Sequence, residues 1–180
     1  MSAFGQAFAV LIVHEGGYST DRQDPGNWTG GKVGSGTLKG TKYGISAASF
    51  PTLDIANLTV EQAGSIYRAM YWDRMGCDSL PPELALLVFD AAVNNGVSNA
   101  AKFLQLSVGA TADGLIGTAT RAAIAKALGN GSPERVQALC SEFLARRLVF
   151  MAALSTWARY GLGWARRLCA LPFQARAFSS

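Results

Sequence analysis

The stretch "VHEGGYSTDRQDPGNW", residues 13–28, sets one carboxylate, Glu15, against Gly16 and Gly17 at the predicted end of an apolar helix. Before it, Phe4, Phe8, Leu11 and Ile12 fall on one stripe at helical spacing, so the periodicity predicts a first helix ending near Glu15. After it the pattern breaks. Nine of the twenty glycines lie within residues 16–44, with polar residues between them, which predicts a long glycine-rich loop, with or without a small β-hairpin. A carboxylate at a helix C-terminus faces the negative end of the helix dipole, which favours its protonated form, and partial burial under such a loop adds to that. Glu15 therefore reads either as a tuned general acid or as the last exposed residue of a helix.

Outward from this stretch the chain reads as mainly α. Thr59 with Gln62 forms a capping-box pattern that opens a helix to about Arg74. Pro81 and Pro82 open another, with Leu84, Leu87, Val88 and Ala91 on one side, running to Asn95. Shorter helices are expected at about 98–108 and 118–128. Ser132 as cap and Pro133 as first residue start a long one to about 156, and a last helix is expected from Gly161 to Leu171.

At 180 residues with 49% hydrophobic side chains, the chain has a core to bury and reads as one domain, or one domain with a closely packed second lobe. The apolar stretch from Phe4 to Val13 lacks a basic leading region and a small-residue cleavage site, so no signal peptide is expected. The run from Leu148 to Leu154 falls far short of the roughly 20 residues that a bilayer requires. Cys77, Cys140 and Cys169 are widely spaced beside a single histidine, a pattern that argues against a zinc site or disulfide framework and fits synthesis in a reducing cytoplasm.

The net charge of +4 hides an asymmetry. Residues 1–120 hold seven Lys/Arg against ten Asp/Glu, whereas residues 121–180 hold nine against only Glu134 and Glu142. Such a tail suits an anionic partner or is simply a solvated helix face.

Within the loop, Asp24 in "QDPGNW" and Thr41 in "KGTKYGIS" carry groups that glycoside hydrolysis uses. A second carboxylate can hold an attacking water or steady positive charge on a sugar ring, and a hydroxyl can orient that water. Tyr18, Trp28 and Tyr43 offer faces on which sugar rings stack. Asp24 before Pro25 and Gly26 is equally an ordinary turn starter.

Three segments, "HEGGYSTDRQDPGNW...GTKYGIS", "YRAMYWDRMGCDSLPPELALLVFDAAVNNG" and "LQLSVGATADGLIGTAT", resemble in order the glycoside hydrolase family 108 muramidases, a group of phage endolysins and secreted N-acetylmuramidases. The resemblance covers about residues 4–168. It implies a lysozyme-like fold, mainly α, with the glycine-rich loop or hairpin beside an active-site cleft. It also implies cleavage of the β-1,4 bond between N-acetylmuramic acid and N-acetylglucosamine, leading to bacterial lysis, without metal or cofactor.

Residue by residue, the family's EGGY glutamate falls on Glu15, its DPGG-type aspartate on Asp24, and the threonine before its YGI on Thr41. The chain departs from the pattern by inserting "WTGGKVGSGTLKG", so Thr29 competes with Thr41 for the threonine role. Tyr71 and Trp72 of the family's YWD, with Tyr18 and Tyr43, are expected to line the groove. Asp90, Asn94 and Asn95 of "FDAAVNNG" are expected to bind N-acetyl groups, the alternative being that Asp90 and Asn94 tie helices together. "ADGLIGTAT", residues 112–120, resembles the turn of small peptidoglycan-binding modules. Asp113 and Gly114 would make the turn and Thr118 would cap the next helix, and the turn can equally be structural.

The expected organisation is a muramidase region at residues 1–96 and a helical peptidoglycan-binding-like lobe at 97–180, packed as one compact monomer. The expected partner is the peptidoglycan glycan strand, with no nucleic acid. Arg146, Arg147, Arg159, Arg166 and Arg167, interleaved with Phe150, Trp157, Tyr160 and Trp164, could add affinity for an anionic envelope surface, core packing of the tryptophans being the alternative. The expected route is cytoplasmic synthesis without a signal peptide, then action in the periplasm after holin-dependent or other release. A non-catalytic peptidoglycan-binding scaffold is the alternative function.

Overall fold

A computed structural model describes residues 2–12 and 17–177 of the chain. Glu15, and with it the expected end of the first helix, lies outside the described residues. The architecture is mainly helical with one small antiparallel hairpin, the lysozyme-like composition that the resemblance implies. The chain packs as two compact units, residues 8–68 and residues 1–7 with 69–180. These do not coincide with the expected regions 1–96 and 97–180, because the helices on either side of Gly96 belong to the same unit.

The unit of residues 8–68 is built from the glycine-rich loop, the hairpin and helix α2 (Val60–Tyr67). The capping box forms as its sequence predicts. Gln62 N–H donates to Thr59 Oγ1 at 3.2 Å, and Thr59 N–H donates to Gln62 Oε1 at 2.9 Å. This satisfies two of the backbone donors that a helix start leaves open. The predicted continuation to Arg74 is interrupted by a π-helical segment, Arg68–Trp72, before a single turn, α3 (Asp73–Met75), stops at left-handed Gly76. Helix α1 (Ala3–Ile12) lends Phe8 to this unit, where its ring lies 5.5 Å from that of Tyr67.

In the other unit, helix α4 (Pro82–Asn95) is the centre. Every residue from Leu84 to Ala92 is buried, not only the expected stripe, because α5 (Val97–Ser107), α7 (Pro133–Ala152) and α8 (Trp157–Arg176) all pack on it. A helix covered on all sides must be apolar all round. Each of its leucines contributes roughly 1.5–3 kcal/mol by leaving water. Phe4, Trp72 and Phe89 meet edge to face at 5.4–5.8 Å and close one end of this core.

Helix α6 (Thr118–Leu128) starts where expected, but Thr118 is its first residue and Gly117 its cap, without a side-chain hydrogen bond. Turn 111–117 is held instead by Gln105, fully buried, whose Nε2 donates to Asp113 Oδ1 at 2.7 Å, to the Leu115 carbonyl at 2.9 Å and to Thr120 Oγ1 at 3.0 Å. Gly114 N–H donates back to Gln105 Oε1 at 2.9 Å. The turn's hydrogen bonds are thus internal, as a structural turn requires. Helix α8 runs four residues earlier and five later than expected, through Pro172, and α7 ends four residues sooner.

Candidate active site

The chain from Gly17 to Gly44 has little regular structure, yet it is closely stitched. Asp24 opens a single 3-10 turn, Pro25–Asn27, its Oδ1 accepting from Gly26 N–H at 2.8 Å. The turn-starter role is therefore filled, and the carboxylate is exposed. Asn27 is fully buried and anchors the loop. Its Nδ2 donates to the Asp21 carbonyl at 2.9 Å, and its backbone carbonyl accepts from both Lys39 and Gly40 N–H at 3.0 Å.

That pair of hydrogen bonds to Asn27 explains how the insertion is accommodated. The chain leaves at Trp28 and pairs with itself through Trp28 and Leu38, Thr29 N–H to Thr37 O at 3.0 Å and Gly30 N–H to Ser35 O at 3.1 Å. It then returns to Asn27 at Lys39 and Gly40. The insert is a side excursion, and its ends meet where a shorter loop would join.

Return at Gly40 demands glycine. Its φ is +85°, and a β-carbon there would lie 2.4 Å from the Ser19 carbonyl and 2.7 Å from the Tyr18 ring. Just beyond, Thr41 and Ser19 exchange two backbone hydrogen bonds at 2.9 Å. Thr41 opens strand β1 (Thr41–Lys42), which pairs with β2 (Ile45–Ser46) through Tyr43 (φ +52°) and Gly44 (φ +72°). Two successive positive φ values are the type I′ turn that suits the twist of a tight hairpin. A tyrosine tolerates this poorly. It is held there by Tyr67 Oη, which donates to the Tyr43 carbonyl at 3.0 Å, while the Lys42 ammonium sits 5.4 Å over its ring.

The two candidate threonines now separate. Thr29 Oγ1 accepts from Thr37 N–H at 2.9 Å and holds the inserted excursion together. Thr41 lies on the half-exposed hairpin strand after the excursion has closed. Tyr18 and Tyr43 present partly exposed rings on this same loop, Tyr18 fixed by its hydroxyl donating to the Lys39 carbonyl at 3.1 Å.

The second expected group lies in the other unit, and its members differ in availability. Trp72 is fully buried, its Nε1 donating to Asp78 Oδ1 at 2.8 Å, so it is a core residue rather than a groove wall. Tyr71 is half-buried. Asp90 is 2% exposed and both of its oxygens are taken. Oδ2 accepts from Arg147 Nη1 at 2.6 Å, and Oδ1 accepts from Arg167 Nε at 2.9 Å and Nη2 at 2.5 Å. Asn95 Oδ1 accepts from Arg147 Nε at 2.7 Å. Asn94 is exposed, its amide donating to the Asp90 carbonyl at 2.8 Å. Asp90 and Asn95 thus bind α7 and α8 to α4; of the pair expected as helix ties, Asp90 fills that role, whereas Asn94 is exposed and its amide bonds within α4.

Arg147 and Arg167 were legible only as part of a basic tail. The structure turns both inward. Burial lowers the pKa of the Arg147 guanidinium, while Asp90 beside it works in the opposite direction. Its Nη2 alone has no partner. Of the cysteines, Cys77 is buried, Cys140 is half-buried with its thiol pushed up to about 12 by burial, and Cys169 is exposed.

A sequence model of the family Glycosyl hydrolase 108 matches residues 8–96, from Phe8 through the loop and hairpin to the end of α4. The solved structure of Brucella abortus SagA is similar over 98% of this chain and 95% of its own, with a TM-score of 0.75 and 30% sequence identity. No curated protein sequence matches. With the loop, hairpin and buried helix all inside the matched segment, and the likeness to SagA spanning nearly the whole length, the chain belongs to the glycosyl hydrolase 108 family, whose membership points to a peptidoglycan hydrolase of the muramidase kind.

Proposed function

We propose that the protein is a lytic N-acetylmuramidase, cleaving the β-1,4 bond between N-acetylmuramic acid and N-acetylglucosamine. Glu15 protonates the glycosidic oxygen as the bond breaks. Asp24 steadies the oxocarbenium charge on the muramic acid ring or holds the water, and the Thr41 hydroxyl orients that water. The observation that carries this reading is the closure of the excursion at Asn27 and Gly40. It leaves Asp24 and Thr41 on adjoining, hydrogen-bonded segments of one loop despite the insertion. Tyr18 and Tyr43, on that loop, supply ring faces for sugar.

The test is turbidity loss of purified Gram-negative peptidoglycan with wild type and Glu15→Gln, together with mass spectrometry of the released fragments. Wild type should release fragments ending in reducing muramic acid, and the variant should release essentially none. Cleavage by both proteins would mean that another residue is the acid. Binding without cleavage by both would make the protein a scaffold.

A further inference from the structure

Helix α8 buries Gly161, Leu168, Leu171 and Ala175 and turns the opposite face to water. Along that face, at alternating steps of three and four, stand Arg159, Leu162, Arg166, Cys169, Phe173 and Arg176, all exposed. This stripe runs about 26 Å at the helical rise. Leu162 is 68% and Phe173 73% exposed, high values for such side chains. The helix carries four arginines and no acidic residue, and Arg167 is drawn inward, to Asp90. Beside the stripe lies an aromatic ridge. The Trp157 and Tyr160 rings lie 6.0 and 5.9 Å from that of Trp164, with the Arg159 guanidinium 5.1 Å over Tyr160.

We propose that this face of α8 is a docking surface for an anionic phospholipid bilayer, lying in the headgroup plane with Arg159 and Arg166 on phosphates and Leu162 and Phe173 between acyl chains. The charge fixes the sign of the partner. The interleaving fixes its kind: a soluble polyanion would satisfy the arginines and leave Leu162 and Phe173 in water, whereas a lipid interface takes both. Tryptophan and tyrosine favour the same boundary, with an apolar body and a polar edge. Among the described residues no helix is long and apolar enough to cross a membrane, so the geometry is that of a helix lying on the surface. This inference does not depend on the hydrolase reading.

Cys169, at the middle of the stripe, is the natural probe. With Cys77 buried and the Cys140 thiol pushed up to about 12, a polarity-sensitive maleimide should label Cys169 selectively, with Cys169→Ala as the blank. Added vesicles of phosphatidylethanolamine with phosphatidylglycerol should shift its emission to the blue and bring unlabelled protein down on sedimentation. Phosphatidylcholine vesicles should do neither, and added salt should weaken the effect. Arg159→Glu with Arg166→Glu should reduce vesicle affinity about tenfold or more. Leu162→Asp with Phe173→Asp should abolish the blue shift, with helical circular dichroism and hydrolysis of lipid-free peptidoglycan unchanged. Equal binding to both vesicle types, or no sedimentation with either, would overturn the proposal. So would a blue shift that grows with protein concentration in the absence of vesicles, which would make the face a contact between copies.

Discussion

The Asp90 carboxylate and the Arg147 guanidinium meet at 2.6 Å, with their side chains 2% and 0% exposed. A pair so deeply buried contributes little net stability when whole, because desolvating both charges costs about what their attraction returns. Breaking it is another matter. Asp90→Asn leaves the Arg147 charge buried without its counter-ion, and should lower unfolding stability by about 3–5 kcal/mol. Asp90→Leu combined with Arg147→Met should recover much of that loss, since Arg167, 26% exposed, can turn to water. Urea unfolding of the three proteins measures this. A double variant no more stable than Asp90→Asn would show that the network is needed whole.

The threonines make a second prediction, because the two hydroxyls do different work. Thr29→Val removes the acceptor for Thr37 N–H and should cost about 1 kcal/mol of stability while leaving peptidoglycan hydrolysis within a few-fold of wild type. Thr41→Val should keep stability close to wild type and lower the turnover rate by about 100-fold, the scale of losing a group that positions the reacting water. Turbidity rates beside thermal unfolding separate the two. Loss of activity in Thr29→Val with Thr41→Val active would reverse the assignment.

How much of this was legible depends on whether the signal was local. The capping box at Thr59 and the start of α4 at Pro82 are legible because adjacent side chains and backbone decide them. Glycine density marked the loop for the same reason. What the sequence hid was long-range pairing. Asp90 and Asn94 sit four apart on α4, yet one is closed over by Arg147, fifty-seven positions away, and the other is open. The two arginines looked like a surface because no periodicity separates an inward from an outward arginine on a polar helix. Trp72 is the converse case. Its motif pointed to a groove, but a π-helical turn sets it among Phe4 and Phe89. The excursion at 28–40 was readable only as an insertion, since its closure rests on Asn27 meeting Lys39 and Gly40.

The turn at Asp113 makes a prediction about acid stability. The Gln105 amide, first, and the Leu115 N–H, second, donate to its carboxylate and hold its pKa below the ordinary value of 3.8. A carboxylate whose folded pKa is depressed adds stability that is fully present above the unfolded value. That stability fades as pH falls through the lower folded one. Asp113→Asn removes the titration and leaves Gln105 its acceptor oxygen. The gap in unfolding midpoint between wild type and variant should therefore be constant from neutral pH down to about 5 and close as the solution is acidified below about 4. Asp54, Glu61 and Glu134, also depressed by local hydrogen bonds, titrate alike in both proteins and cancel in the difference. A gap that stayed unchanged through the acid range would place the stabilising effect in the shape of the turn rather than in the charge of Asp113.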